Sequence, residues 1–245
     1  MTPTIRDEPP LELEDVRAGR LPGRYDYRMQ DVFLARLSPL LEPGVRILDI
    51  GAGRAPTLAP ESRPVGTHYA GLDISAAELE AAPAGAYDET YVHDITRPLP
   101  DSEAFDVAIS WQVLEHVGDV GAALESVRQT LRPGGKLLAQ LSGSAAAFSV
   151  AARVLPHRVR AFAMARWLGH DPREKFPVRR AVRTANTLER WLEPWSEREI
   201  IPFYRGATYF ATLRVLQRAY LAYESALERR QARNLATHYL IIAER

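Results

Sequence analysis

Between residues 45 and 141 five short apolar segments recur, each set off by turn residues: Val45–Ile50, His68–Leu72, Glu89–Val92, Phe105–Ser110 and Lys136–Leu141. Several are separated by stretches compatible with a helix. The clearest is Asp119–Leu131, whose Ala122, Leu124, Val127 and Leu131 can face a sheet. Strands alternating with helices at roughly 20–30 residue intervals need crossover connections, and such crossovers lay strands parallel. The spacing therefore predicts an α/β fold, a mostly parallel twisted sheet with helices on both faces. One interval departs from the pattern. Pro56, Pro60 and Pro64 lie between the first two segments, and a proline inside a helix costs about 3 kcal/mol, so only a short helical turn is expected there.

The flanks divide the chain further. Residues 1–22 hold four prolines and several charges and read as an N-terminal arm. Met29, Val32, Phe33, Leu37 and Leu40 recur at helical spacing over Tyr25–Leu41, until Glu42-Pro43-Gly44 stops the helix. With the five strands this makes a core over 23–141. Residues 142–197, rich in Ala, Arg and Trp and broken at Pro156, Pro172 and Pro177, read as a helical cap. Within 198–245 a strand at Glu199–Tyr204 and a final strand at His238–Ala243 complete the sheet. The intervening Ala207–Gln231 is amphipathic, with Phe210, Leu213, Leu216, Tyr220, Tyr223 and Leu227 on one stripe.

Composition removes several function classes. The absence of cysteine excludes disulfides, thiol nucleophiles, thiolate zinc sites and iron–sulfur clusters. Lys+Arg and Asp+Glu balance at 31 each, so no bias toward nucleic acid exists. The first fifteen residues lack an apolar core and no apolar run approaches a membrane span, which predicts a cytoplasmic protein. The histidines have no metal-ligand spacing, and no metal is expected.

The chemistry concentrates at the strand ends. The first strand runs into Asp49-Ile50-Gly51-Ala52-Gly53, a turn that lets backbone approach a ligand at the sheet edge. A plain strand–helix connection can look the same, but Asp49 sharpens the reading. A carboxylate there would repel a pyrophosphate, whereas it suits the sulfonium and ammonium of S-adenosylmethionine. The third glycine of a dinucleotide fingerprint is missing, with Pro56 in its place. At the second strand end, Asp73 followed by Ile74 can bind a ribose diol. At the third, Asp94 can accept from an adenine amino group while Ile95 covers the ring. Each aspartate taken singly also reads as a cap or turn residue.

The segments LDIGAGRA, GLDIS, HDI, FDVAISWQVLEHV and LRPGGKL resemble, in order and spacing, the motifs of class I, Rossmann-like methyltransferases, especially the type 11 methyltransferase domain. The resemblance covers about Tyr25 to Leu141. It implies a methyltransferase that uses S-adenosylmethionine and releases S-adenosylhomocysteine. Asp49, Gly51, Ala52 and Gly53 would hold the methionine part, Asp73 and Ile74 the ribose side, and Asp94 and Ile95 the adenine. Trp111 and Gln112 would line the cofactor near the sulfonium. Ala55 replaces a glycine common in that family. His116, one turn past Gln112, reads either as a base or as a tie between loop and sheet. Tyr25 or Arg28 can meet the cofactor carboxylate, or belong to a solvated helix start.

Methyl transfer is an in-line displacement in which positioning and water exclusion supply much of the rate, so no catalytic residue is obligatory. Candidates are His116, His170, Asp171 and Tyr204. Residues 151–190 carry ten Lys/Arg against three Asp/Glu, a net +7 in a neutral chain. The basic stretch reads either as a solvated cap or as the reader of an anionic acceptor, through Arg179, Arg180 and Arg183. A loose similarity of Phe176–Leu192 to methyltransferases of bacterial glycan biosynthesis implies a sugar or glycan acceptor methylated on oxygen. An aromatic natural product is the rival acceptor, and a methyltransferase-like module that binds without turnover is the rival function.

Overall fold

The computed structural model describes residues 21–99, 104–145, 183–210 and 214–245. Within them seven strands form one sheet: β1 Arg46–Ile50, β2 His68–Asp73, β3 Glu89–Val92, β4 Phe105–Trp111, β5 Leu131–Ser142, β6 Glu197–Phe203 and β7 His238–Glu244. Their spatial order is β3-β2-β1-β4-β5-β7-β6. The first five are mutually parallel. β7 runs antiparallel between β5 and β6. The carboxyl ends of six strands and the start of β7 therefore share one edge of the sheet. Open α/β sheets place their ligands at such an edge.

The strands alternate their side chains across the sheet, which gives each face its own core. On one face Phe33, Leu34 and Leu37 of helix α1 (Met29–Leu37) pack on Ile47, Ile109, Leu138 and Leu240. On the other, Leu124 and Val127 of α3 (Val120–Thr130) and Leu188 of α4 (Ala185–Trp191) pack on Leu48, Ala108, Ala139 and Ile241. Each fully buried Leu, Ile, Val or Phe among them contributes about 1.5–3 kcal/mol relative to exposure.

Local chemistry sets the helix limits. The predicted helix from residue 25 is shorter than its apolar pattern, because the Arg28 backbone N–H donates to Asp31 and starts α1 at Met29. Only a 3-10 turn, Gly23–Tyr25, precedes it. Asp119 and Thr184 accept backbone bonds that start α3 and α4. The proline-rich interval after β1 forms just the 3-10 turn Pro60–Ser62 before β2. A short helix, α2 (Ala76–Glu80), follows β2 behind a Ser75 cap. Between β6 and β7 the expected amphipathic helix is α5 (Arg214–Arg229), preceded by a separate 3-10 turn at Ala207–Phe210. None of the helices among the described residues is long and apolar enough to cross a membrane.

Two ties close the carboxyl edge. The Ser144 backbone N–H donates to the Arg183 carbonyl at 3.0 Å, and the Arg183 N–H returns to Ser144 Oγ at 2.7 Å. The described residues on the two sides of 146–182 are thus bonded to each other. Near the start of the chain, Tyr25 Oη donates to Glu224 Oε2 of α5 at 2.6 Å, and Arg24 pairs with Glu224 and Glu228. Most of the predicted arm, and the candidates His170, Asp171, Arg179 and Arg180, lie outside the described residues.

Candidate functional site

β1 ends in a turn that a side chain would not tolerate. Gly51 sits at φ +70°, and a Cβ there would lie 2.3 Å from a Val113 methyl. The glycine turn therefore packs directly against the turn that leaves β4. The Gly51 and Ala52 N–H groups donate to the Leu72 carbonyl at 2.7 and 3.0 Å, which binds the turn to β2.

Asp49 supports this turn from beneath. Its carboxylate is fully buried and accepts from Thr57 N at 2.6 Å, Thr57 Oγ1 at 2.7 Å and Tyr69 Oη at 2.8 Å. The side chain points into the α1 face. A cation at the strand ends would thus feel its field across the backbone, where the sequence suggested direct contact. Tyr69 in turn accepts from Leu58 N, and its ring lies 3.6 Å from the Arg63 guanidinium carbon. Burial, followed by the Asp49 charge, pushes the Tyr69 phenol well above its ordinary range. Burial also lowers Arg63 from its usual value.

Sequence reasoning missed Tyr87. Its hydroxyl donates to the carbonyls of Ala52 and Gly53, at 2.9 and 3.0 Å, and clamps the turn from the side. The ring stacks on Tyr69 at 6.1 Å and fills the space that the absent side chain of Gly71 leaves. The signal lay in Gly71, a glycine inside a strand, which marks a close approach.

Asp73 ends β2 half-buried, with Oδ1 accepting from Ser75 N at 2.9 Å. Ile74 beside it is 70% exposed, and Val92, its neighbour at the end of β3, is 58% exposed. Asp94 Oδ1 accepts from Thr96 N and Oγ1, and these two bonds hold its carboxyl below the ordinary range. Ile95 is buried in the core with Leu72 and Leu99. Ile95, expected to cover the adenine ring, is thus buried, while Ile74 on the ribose side is exposed.

Trp111, the last residue of β4, is buried and meets Phe33 edge-on at 5.2 Å. Gln112 follows at φ +56°, a left-handed conformation costly for a residue with a Cβ, and donates its N–H to the Gln140 carbonyl. His116 is half-buried in the same turn, its N–H on the Val113 carbonyl. The next-door Glu115 is almost fully buried and accepts from Ser142 Oγ at 2.9 Å.

The remaining described candidates have other partners or none near the glycine turn. Tyr25 is engaged with Glu224 and accepts from Ala207 N; burial and the Glu224 charge raise its phenol far above normal. Arg28 is exposed and paired with Asp31. Tyr204 is buried, its hydroxyl without a partner among the described residues, while its carbonyl accepts from Arg24. Arg183 is among the most buried side chains, its Nε donating to the Ser142 carbonyl at 3.1 Å. Among the described residues no cluster could hold a metal ion. A depression of about 450 Å³ beside β6 is lined by Glu189, Arg198, Glu199, Ile200 and Arg233, away from these loops.

A family model described as a methyltransferase domain matches residues 23–200. Among curated proteins, the ubiquinone biosynthesis O-methyltransferase of Chelativorans sp. (strain BNC1) is 35% identical over 97 residues, 38% of either chain. The protein of the same description from Cereibacter sphaeroides (strain ATCC 17025) is 35% identical over 128 residues, 48% of this chain and 51% of that one. The chain thus spans about two fifths to one half of the length of these relatives. Among solved structures, an S-adenosylmethionine dependent methyltransferase from Mesorhizobium loti aligns over 91% of this chain and 100% of its own, with a TM-score of 0.57 and 21% identity. Haemonchus contortus phosphoethanolamine N-methyltransferase 2, in complex with S-adenosyl-L-methionine, covers 88% of this chain and 52% of its own, with a TM-score of 0.55 and 17% identity. These structural likenesses establish the Rossmann-like fold.

Proposed function

The chain belongs to the methyltransferase domain family, and from that premise we propose that it transfers a methyl group from S-adenosylmethionine to a hydroxyl of a small molecule. One observation carries the reading: the glycine turn, Asp73 with exposed Ile74, and Asp94 stand side by side at the ends of β1, β2 and β3. S-adenosylmethionine supplies an electrophilic methyl on a cationic sulfur. The residues fit that ligand better than a phosphate. Arg54, the cation of the glycine turn, is occupied by a two-pronged pair with Glu78 at 2.6 and 2.8 Å, while the nearby carboxylates favour positive charge.

Each strand end takes one part. Gly51 to Gly53 present backbone to the methionine portion, Asp73 accepts from the ribose hydroxyls, and Ile74 covers one side of the adenine, with Asp94 beside it. The post-β4 turn from Gln112 to His116 faces the reacting methyl and excludes water. His116 is the candidate base within that turn. Oxygen as the methylated atom follows the activity for which the curated relatives are named. Beyond the reacting end, the net positive stretch 151–190 reads an anionic group such as a phosphate-bearing sugar. Arg179 and Arg180 are its candidate contacts, because Arg183 is turned into the core.

Calorimetry with S-adenosylhomocysteine tests the cofactor assignment. Wild-type protein should bind it, and Asp73→Ala should weaken binding by about 1–3 kcal/mol, the scale of charge-assisted hydrogen bonds. Tight binding of NAD with none of either sulfur compound would overturn the reading. Gly51→Val is a poor substitute, since its side chain strikes Val113 whether or not ligand is present. In a turnover assay His116→Ala should lower the rate about 10²-fold or more if His116 is the base. An unchanged rate assigns it to tying the loop.

A further inference from the structure

Three buried polar side chains on the α1 face of the sheet take no part in that reading. Gln140 is 1% exposed, and among the described residues neither its amide nitrogen nor its amide oxygen has a hydrogen-bond partner. A carboxamide can make about four such bonds and is seldom buried without any. The strand pleat puts Gln140 on the α1 face with Leu138, directly across from Trp111. Gln30 shares the stripe of α1 that carries Phe33 and Leu34. It is 4% exposed, and its Oε1 is likewise unpartnered.

His238 completes the group. It opens β7 on the same face as Leu240, the cross-strand neighbour of Gln140, and is buried. Its tautomer follows from its neighbours. Thr237 Oγ1 donates to the Phe203 carbonyl at 2.7 Å and accepts from Arg205 N at 2.8 Å. Having spent its proton, that hydroxyl can only accept from His238 Nδ1, 3.2 Å away. Nε2 is left as a lone-pair acceptor. Burial, with the Arg205 guanidinium second, lowers the imidazole to about 4 and keeps it neutral.

We propose that Gln30, Gln140 and His238 form the subsite that receives the uncharged hydroxyl of the methyl acceptor, walled by Trp111 and Phe33. The proposal rests on the methyltransferase reading above. Two carboxamides and a neutral imidazole offer donors and acceptors but no charge, so the subsite selects a hydroxyl and discriminates against an anion at the reacting end. Its position follows from the strand order. Gln140 lies beside the end of β4, and β4 adjoins β1 with its glycine turn. An anionic group elsewhere on the acceptor is unaffected by this selection.

The test uses the full chain saturated with S-adenosylhomocysteine and titrated with catechol or with benzoate, an anion of similar size. The Gln140 carboxamide resonances are identified as the pair missing from Gln140→Met. Catechol should shift them and benzoate should not. Gln140→Met, of equal length without the amide, should lose at least tenfold in catechol affinity. His238→Asn should do the same, since it keeps a donor for Thr237 and removes Nε2. S-adenosylhomocysteine affinity should stay within twofold in both, and Gln140→Met should melt no lower than wild type. Equal response to benzoate, or no catechol response in the wild-type complex, overturns the proposal. So does undiminished catechol affinity in Gln140→Met, which would assign the amide to an ordered water. Failure of wild-type protein to bind S-adenosylhomocysteine at all would instead remove the methyltransferase reading, and this proposal with it.

Discussion

At the scale of single residues, buried polar groups decide the behaviour of the site. Asp49 satisfies three donors from Thr57 and Tyr69. Asp49→Ala strands all three, so chemical denaturation should show a loss of about 3 kcal/mol, one to three per unsatisfied group after partial relaxation. His238 adds a pH dependence. Its folded value of about 4 lies below the ordinary 6.5, so between those values the unfolded chain binds the extra proton. Stability should therefore be fully present above pH about 6.5 and fall toward pH about 4. The loss amounts to roughly 3 kcal/mol at 1.36 kcal/mol per unit. Urea midpoints measured across that range should slope less in His238→Asn than in wild type; parallel slopes would show that the imidazole titrates normally.

At the scale of elements, the glycine turn depends on the residues packed around it more than on a helix. The proline-rich interval gives it no long helix to lean on, and Tyr87, Thr57 and Tyr69 take that place. Tyr87→Phe keeps the stacked ring and removes the bonds to Ala52 and Gly53. It should cost about 1 kcal/mol of stability and loosen S-adenosylhomocysteine binding several-fold, both readable by calorimetry; unchanged affinity would show that the turn holds without its clamp. The strands and the prolines' effect were legible in the sequence because apolar runs and breakers act locally. The direction of the Asp49 carboxylate was not. It depends on Thr57 folding back eight residues and on Tyr69 reaching from the next strand. The partner of Tyr25 was illegible for the same reason, since Glu224 lies 199 positions away. His238 carried no motif, and its environment exists only once β7 inserts between β5 and β6.

At the scale of the whole molecule, the proposed reading assigns cofactor side and acceptor side to different parts of the chain. β1, β2 and β3 carry the glycine turn, Asp73 and Asp94, while Ser144 and Arg183, which flank 146–182, bond to each other beyond β5. Because Ser144 and Arg183 already bond to each other, replacing the residues between them should leave the sheet closed. A variant in which a short Gly-Ser loop joins Gly143-Ser144-Ala145 to Arg183 should keep the cooperative unfolding of the core. Its affinity for S-adenosylhomocysteine should stay within a few-fold, since the loop-closure term changes only slowly with length. Turnover on the natural acceptor should fall by orders of magnitude, and Arg179→Gln with Arg180→Gln in the intact chain should reproduce the part due to charge, most strongly at low salt. Loss of S-adenosylhomocysteine binding in the shortened chain would show instead that the segment builds part of the cofactor site. The division of labour along the sheet edge would then be wrong.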